Sequence, residues 1–230
     1  MIVERMEEVR HRIAVASARA DRDPATVELV AVSKGHPASA IVQAHAAGQL
    51  LFGENYVQHW QGKAEDPSLL ALDGLRWHFV GHLQRNKVRF LVGRTACIET
   101  IDRLRLAHEV SRRAVEHGIS QAVLLQVNLE SEPTKAGFTP EGLEACFREL
   151  NRLTGLRIEG LMSIPRPRAT AEQTRPDHAA LRRLRDDLSD RYSVALRTLS
   201  MGMSSDLEVA IAEGSTRVRV GTAIFGPRIL

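Results

Sequence analysis

Cysteine is nearly absent: 230 residues hold two, Cys97 in an apolar strand-like run and Cys146 on the apolar side of a helix-like one. Both read as buried free thiols, which leaves disulfide redox chemistry and zinc binding without their usual ligands. Aromatic residues are also scarce at 4%, so the core must be assembled from Leu, Val, Ile and Ala within a 43% hydrophobic composition. No apolar run approaches the roughly 20 residues that cross a bilayer, and residues 1–20 are too charged for a signal peptide. The chain is therefore expected in the cytoplasm. Walker A and GxGxxG patterns are missing, and Ser163 lacks a nucleophile-elbow context. A net charge of +3 helps to attract a small anionic ligand but falls short of a nucleic-acid footprint.

Lysine is the most informative scarcity. Of 31 basic residues only Lys34, Lys63, Lys87 and Lys135 are lysines. A guanidinium does not readily lose its proton to become a nucleophile, so in an arginine-rich chain a lysine marks a place where an amine is needed. Biased base composition gives the same pattern, so position has to separate the two.

What is present is an alternation. Ile2, Met6, Val9, Ile13 and Ala16 recur at helical spacing and predict an amphipathic N-terminal helix. Short apolar strands follow at 29–33, 50–52, 77–80, 96–98, 122–128, 158–162, 198–200 and 218–220, with helical patterns at 38–47, 57–64, 86–92, 104–117, 143–153, 178–192 and 206–212. Thr139-Pro140 supplies a cap and first turn for the fifth of these helices, and Ser205-Asp-Leu-Glu208 has the form of a capping box. Eight strands alternating with helices predict an α/β fold, a single (β/α)₈ TIM-type barrel over residues 1–230, with an open doubly wound sheet as the structural rival. The final helix is short or missing, and residues 1–20 are expected to cover that part of the wall.

Polar or glycine-containing clusters follow nearly every strand: Ser33-Lys34-Gly35-His36, Gly53-Glu54-Asn55-Tyr56, Gly81-His82-Leu83-Gln84-Arg85-Asn86-Lys87, Asn128 before Ser131-Glu-Pro-Thr-Lys135, Ser200-Met-Gly-Met-Ser-Ser205, and Arg219-Val-Gly221-Thr222. A parallel barrel gathers all of them on its C-terminal face, where barrel active sites form. Each also has a plain reading: a strand-end lysine is commonly solvated, Gly-Glu-Asn-Tyr suits an ordinary turn, and Ser204-Ser205 suits a helix cap. His78 and His82 do not share a helix face in the manner of zinc ligands. Taken together, the small residues after strands seven and eight offer backbone N–H donors for a phosphate. Lys34 on strand one lies beside strand eight once the barrel closes. An anion cradle facing an amine suits a phosphorylated aldehyde.

Ala31-Val-Ser-Lys34, Gly53-Glu-Asn-Tyr56 with Val57-Gln58, Trp77-His-Phe-Val-Gly-His-Leu-Gln-Arg-Asn-Lys87, Gly160-Leu-Met162, Leu199-Ser-Met-Gly-Met-Ser204 and the run from Gly214 to Gly226 resemble the pyridoxal phosphate homeostasis protein family. That family looks like the N-terminal barrel of alanine racemase, the type III fold of pyridoxal 5′-phosphate (PLP) proteins. The resemblance implies that Lys34 forms an internal aldimine, that Ser200, Ser204, Gly221 and Thr222 hold the phosphate, and that Arg219 faces the pyridine nitrogen, with Asn55 and His82 beside the ring. His59 stands where the family commonly has Glu, which affects a polar contact around the site. An arginine at the ring nitrogen only donates, so it favours the unprotonated pyridine and a weaker electron sink.

The resemblance implies a PLP carrier in cofactor homeostasis, with apo PLP-dependent enzymes as partners, no nucleic-acid or membrane partner, and a monomer or weak dimer. The alternative is a small PLP-dependent amino-acid racemase. A racemase needs acid–base groups on both faces of the substrate carbon. Only Lys34 is a clear candidate, the chain ends at Leu230 before any C-terminal β-domain, and its tyrosines are Tyr56 and Tyr192. Lys87 and Lys135 are expected on the cofactor face, either as solvated loop residues or as a waystation during release. No catalytic or metal-binding residue is assigned.

Overall fold

Alternation along the strands separates an apolar outer layer from a charged interior. The computed structural model describes residues 1–130 and 136–227. Among them, eight parallel strands close into a barrel in chain order. They are β1 Glu28–Val32, β2 Leu51–Glu54, β3 Arg76–Phe79, β4 Cys97–Ile101, β5 Gln121–Val127, β6 Leu156–Ser163, β7 Thr198–Ser200 and β8 Arg217–Val220. β8 pairs back to β1 with Val30 opposite Arg219, which closes the cylinder.

Successive strand side chains point to opposite faces. In β8, Val218 and Val220 join the apolar layer beneath the helices, so Arg217 and Arg219 turn toward the barrel axis. The same parity sends Phe52, Trp77, Phe79, Ile98, Val123, Leu125 and Leu161 outward into that layer. There they meet fully buried helix residues such as Trp60, Leu106, Val110, Phe147 and Leu188. Each such side chain withdrawn from water contributes roughly 1.5–3 kcal/mol, so most of the folding drive lies between strands and helices. Inside, the apolar filling is slight: Cys97, Ala122, Leu124 and Met162 form one cluster, and Val30, Val32 and Leu51 another. Barrels of this type usually fill the axis with branched aliphatics. Here His78, Glu99, Ser200, Arg217 and Arg219 are buried there instead.

The helices are α1 Ile2–Arg19, α2 Ala38–Ala46, α3 Val57–Ala64, α4 Pro67–Leu70, α5 Val88–Leu91, α6 Leu104–Glu116, α7 Pro140–Leu150, α8 Arg175–Tyr192, α9 Leu207–Ala212 and α10 Thr222–Phe225. α1 lies against α9, α10 and α2, with Met6, Val9, Ile13 and Ala16 buried on one stripe. α7 starts where Thr139-Pro140 predicts, the Thr139 hydroxyl accepting the Gly142 N–H at 3.0 Å. The predicted capping box is corrected: the N-cap of α9 is Asp206, which turns back to accept the Met203 N–H at 2.7 Å, while Glu208 pairs with Arg12 of α1. The short α4 went unpredicted because its only signal is the Asp66-Pro67 cap. Both cysteines are free; Cys97 is buried, and that burial pushes its thiol well above the usual range, whereas Cys146 is half-buried.

Candidate functional site

Parallel strands deliver their C-terminal ends to one rim, and a cavity of about 520 Å³ opens there. It is lined by seven of the eight residues singled out from the sequence: Lys34, Asn55, His82, Ser204, Arg219, Gly221 and Thr222. The eighth, Ser200, is placed differently. It is fully buried at the end of β7, where its hydroxyl donates to Glu99 Oε2 at 2.6 Å and accepts from Arg219 Nη1 at 2.6 Å. It holds the cavity floor and does not line the cavity, because a strand of three residues ends one side chain too deep.

The floor is a chain of charge. Arg219 reaches Ser200 Oγ with one nitrogen and the Ser163 carbonyl with the other at 2.8 Å. Glu99 sits behind, bonded to His78 Nδ1 at 2.6 Å and lying 3.5 Å from Arg217 Nη1; Arg217 extends the series to Glu28 at 2.7 Å. Burial by itself raises the Glu99 carboxyl, but the His78 hydrogen bond and the charges of His78, Arg217 and Arg219 outweigh it and bring the carboxyl down to about 2. Burial lowers the Arg219 guanidinium from its usual value, opposed by the Glu99 charge. The guanidinium remains a cation held by two acceptors.

The wall beside Lys34 has its own ion pair. Lys63 of α3 donates to Glu54 Oε1 at 2.5 Å and to the Ser33 carbonyl at 2.8 Å, while Ser33 Oγ donates to the same Glu54 oxygen at 2.7 Å. One of the four lysines is thereby committed to fixing the turn that carries another. His36 closes this corner, stacked on Phe225 with ring centroids 5.3 Å apart. Across the mouth, Ser204 Oγ accepts from Thr222 Oγ1 at 3.2 Å and from the Ala223 N–H at 3.3 Å. Arg12 holds the Ser204 carbonyl at 3.0 Å from the N-terminal helix. Gly81 is required where the loops after β2 and β3 touch, since a Cβ there would fall 1.9 Å from the Asn55 carbonyl oxygen.

Several of these groups had no sequence signal of their own. Glu99, Arg217 and Ser163 lie within strands and read there as interruptions of apolar runs. Their parity with Cys97 and Arg219 is the clue that places Glu99 and Arg217 inside. His59 is exposed and sits edge-on to Tyr56 at 5.3 Å, outside the cavity lining. Lys87 lies 5.8 Å from the Phe90 ring centroid and lines an adjoining cavity that shares Asn55 and His82. Lys135 falls outside the described residues. Tyr192 packs on Phe147 in the helical shell, with centroids 4.9 Å apart. No three-residue metal-binding cluster of His, Cys, Asp or Glu occurs among the described residues, and no described helix is long and apolar enough to cross a membrane.

The family model of the alanine racemase N-terminal domain matches residues 5–228 of this closed parallel barrel. The pyridoxal phosphate homeostasis protein of Pseudomonas aeruginosa is 46% identical over 99% of this chain and 96% of its own, and that of Aquifex aeolicus is 44% identical over 98% and 97%. PipY of Synechococcus elongatus PCC7942, solved with PLP bound, superposes with a TM-score of 0.85 at 41% identity, covering 98% of this chain and 100% of that one. The chain belongs to the pyridoxal phosphate homeostasis protein family.

Proposed function

We propose that this chain binds PLP in the cavity at the C-terminal rim and serves cytoplasmic PLP homeostasis, storing the cofactor and giving it up to apo PLP-dependent enzymes. The observation that carries the reading is the convergence of Lys34, Arg219 and Ser204 on one cavity. The donor set fits the cofactor: an amine for the aldehyde, a buried cation for the ring nitrogen, and hydroxyls with backbone N–H groups for the phosphate. Asn55 Oδ1 adds to the fit, because it is buried on this wall without a hydrogen-bond partner among the described residues. Buried acceptors of that kind are rare unless a ligand or water completes them.

When bound, PLP supplies an electrophilic aldehyde joined to a ring that can withdraw electrons. Lys34 would hold it covalently through Nζ, and Ser204, Gly221 and Thr222 would hold the phosphate. Arg219, donating only, would keep the ring nitrogen unprotonated and restrain carbanion chemistry. The reading is thus a carrier with slow amino-acid turnover. Holo-protein mixed with an apo PLP enzyme is expected to reactivate it faster than an equal amount of free PLP, with alanine racemization far below the ordinary enzymatic range of roughly 1–10³ s⁻¹. Transfer no faster than from free PLP removes the hand-over part of the reading, and racemization within that range makes the chain an enzyme. A Lys87→Ala arm in the same assay decides whether that amine takes part in release.

Arg219→Gln is the clean probe of the ring contact. Reversal to Glu would bury two carboxylates together, Glu99 being the other, so the residue matters for folding as well as for cofactor electronics. The Gln variant is expected to bind PLP about tenfold or more weakly, in line with a lost charged hydrogen bond of about 1.5–3 kcal/mol, and to shift the absorption band of the bound cofactor. Unchanged affinity and spectrum would detach Arg219 from the ring.

A further inference from the structure

The end of β4 contributes a group that the cofactor-holding residues leave unexplained. Asp102, its side chain only 4% exposed, lies 3.0 Å from His82 Nδ1 through Oδ2, while its Oδ1 takes Arg103 Nη1 at 2.5 Å. Arg103 also donates to the Leu83 carbonyl at 3.1 Å, and Thr100 Oγ1 donates to the Gly81 carbonyl at 2.6 Å. The loop that carries His82 is therefore tied to β4 on both sides of the imidazole. With the Asp102 carboxylate beside Nδ1, Nε2 is the ring nitrogen left for chemistry. The ring is more than half exposed, so water reaches it, and it lines the same cavity as Lys34.

We propose that His82, positioned by Asp102, is the acid–base residue that makes and breaks the bond between Lys34 and the PLP aldehyde carbon, setting how fast the cofactor is loaded and released. The proposal rests on the reading of Lys34 as the covalent anchor. In release, the oxygen of one water bonds to the carbon of the C=N link. Nε2 of His82 accepts each of the two water protons in turn and passes it to Lys34 Nζ. The C–N bond breaks with its electron pair going to nitrogen, and the products are a neutral lysine amine and the free aldehyde. Loading runs through the same proton transfers in reverse, with water as the leaving group.

Microscopic reversibility gives a test that a binding contact does not pass. A residue that only touches the cofactor changes the dissociation constant, whereas a proton carrier changes both rates by the same factor. Loading is followed by stopped-flow absorbance after mixing apo-protein with PLP, release by adding a phosphatase that destroys free PLP, and affinity by equilibrium dialysis. His82→Gln is expected to slow loading and release alike, by roughly 10²-fold as for other general acid–base groups, a change far larger than any change in the dissociation constant. Asp102→Asn is expected to slow both in the same direction by a smaller factor, and added imidazole to restore the rates of His82→Ala. Thermal melts confirm that the variants are folded. Unchanged rates in folded His82→Gln, or a faster release with unaltered loading, overturns the proposal while leaving Lys34 as the anchor. A wild-type chain that gains no borohydride-reducible link at Lys34 overturns the underlying reading as well.

Discussion

Lys34→Ala is expected to abolish the covalent adduct completely: after incubation with PLP and borohydride, the wild-type chain gains one pyridoxyl group at residue 34 and the variant gains none there. The two other lysines among the described residues are placed away from this cavity. Lys63 is held by Glu54 and the Ser33 carbonyl, and Lys87 lines the neighbouring cavity beside Phe90. Neither lines the cavity shared by Arg219 and Ser204. The fold should survive, since residue 34 lies in a strand-end turn and the apolar layer beneath the helices does not use it. Weak non-covalent PLP binding should persist through the phosphate loops and Arg219. Peptide mapping decides the matter, and a reduced pyridoxyl group found mainly on Lys63, Lys87 or Lys135 of the wild-type chain would move the anchor.

Glu99→Gln is expected to produce the largest stability loss of any single change at the site. The carboxylate balances Arg217 and Arg219 in the barrel axis and accepts from His78 and Ser200. Removing one partner from a buried charged cluster costs about 3–5 kcal/mol, because the remaining charges stay buried and uncompensated. In a domain of this size that corresponds to a fall in Tm of roughly 6–20 °C. The loss should depend on pH. The folded carboxyl is held at about 2 against an ordinary 4.5, so its contribution is fully present above pH 4.5 and disappears as pH falls from 4.5 toward 2. Urea unfolding of wild type and variant at several pH values measures it. A stability gap that stays constant across this window would mean that Glu99 is not ionised in the folded chain.

The barrel itself was legible because strand and helix periods alternate cleanly and the polar clusters fall at strand ends. Lys34 and the loops after β7 and β8 followed from that register, and Arg219 from the family resemblance. Ser200 lies below the cavity lining, a depth that a motif does not give: one position along a three-residue strand separates the lining from the floor beneath it. Glu99 and Asp102 escaped for a related reason. Thr100-Ile101-Asp102 closes an apolar strand without glycine or any visible cluster, and the value of Asp102 comes only from its 3.0 Å approach to a histidine twenty positions earlier. The role of Lys63 was equally hidden. Its place in the last turn of α3 says nothing about Glu54 until helix and strand are packed together.

The charged barrel axis has one more consequence. Arg219 is anchored by Ser200 and the Ser163 carbonyl, and both anchors belong to the protein. Its desolvation is completed during folding, so an arriving cofactor meets a guanidinium already in place and does not have to freeze it. The same anchors keep the floor in shape after the cofactor leaves. A preorganised floor of this kind lets the empty and loaded forms share one conformation, so neither form has to refold to become the other.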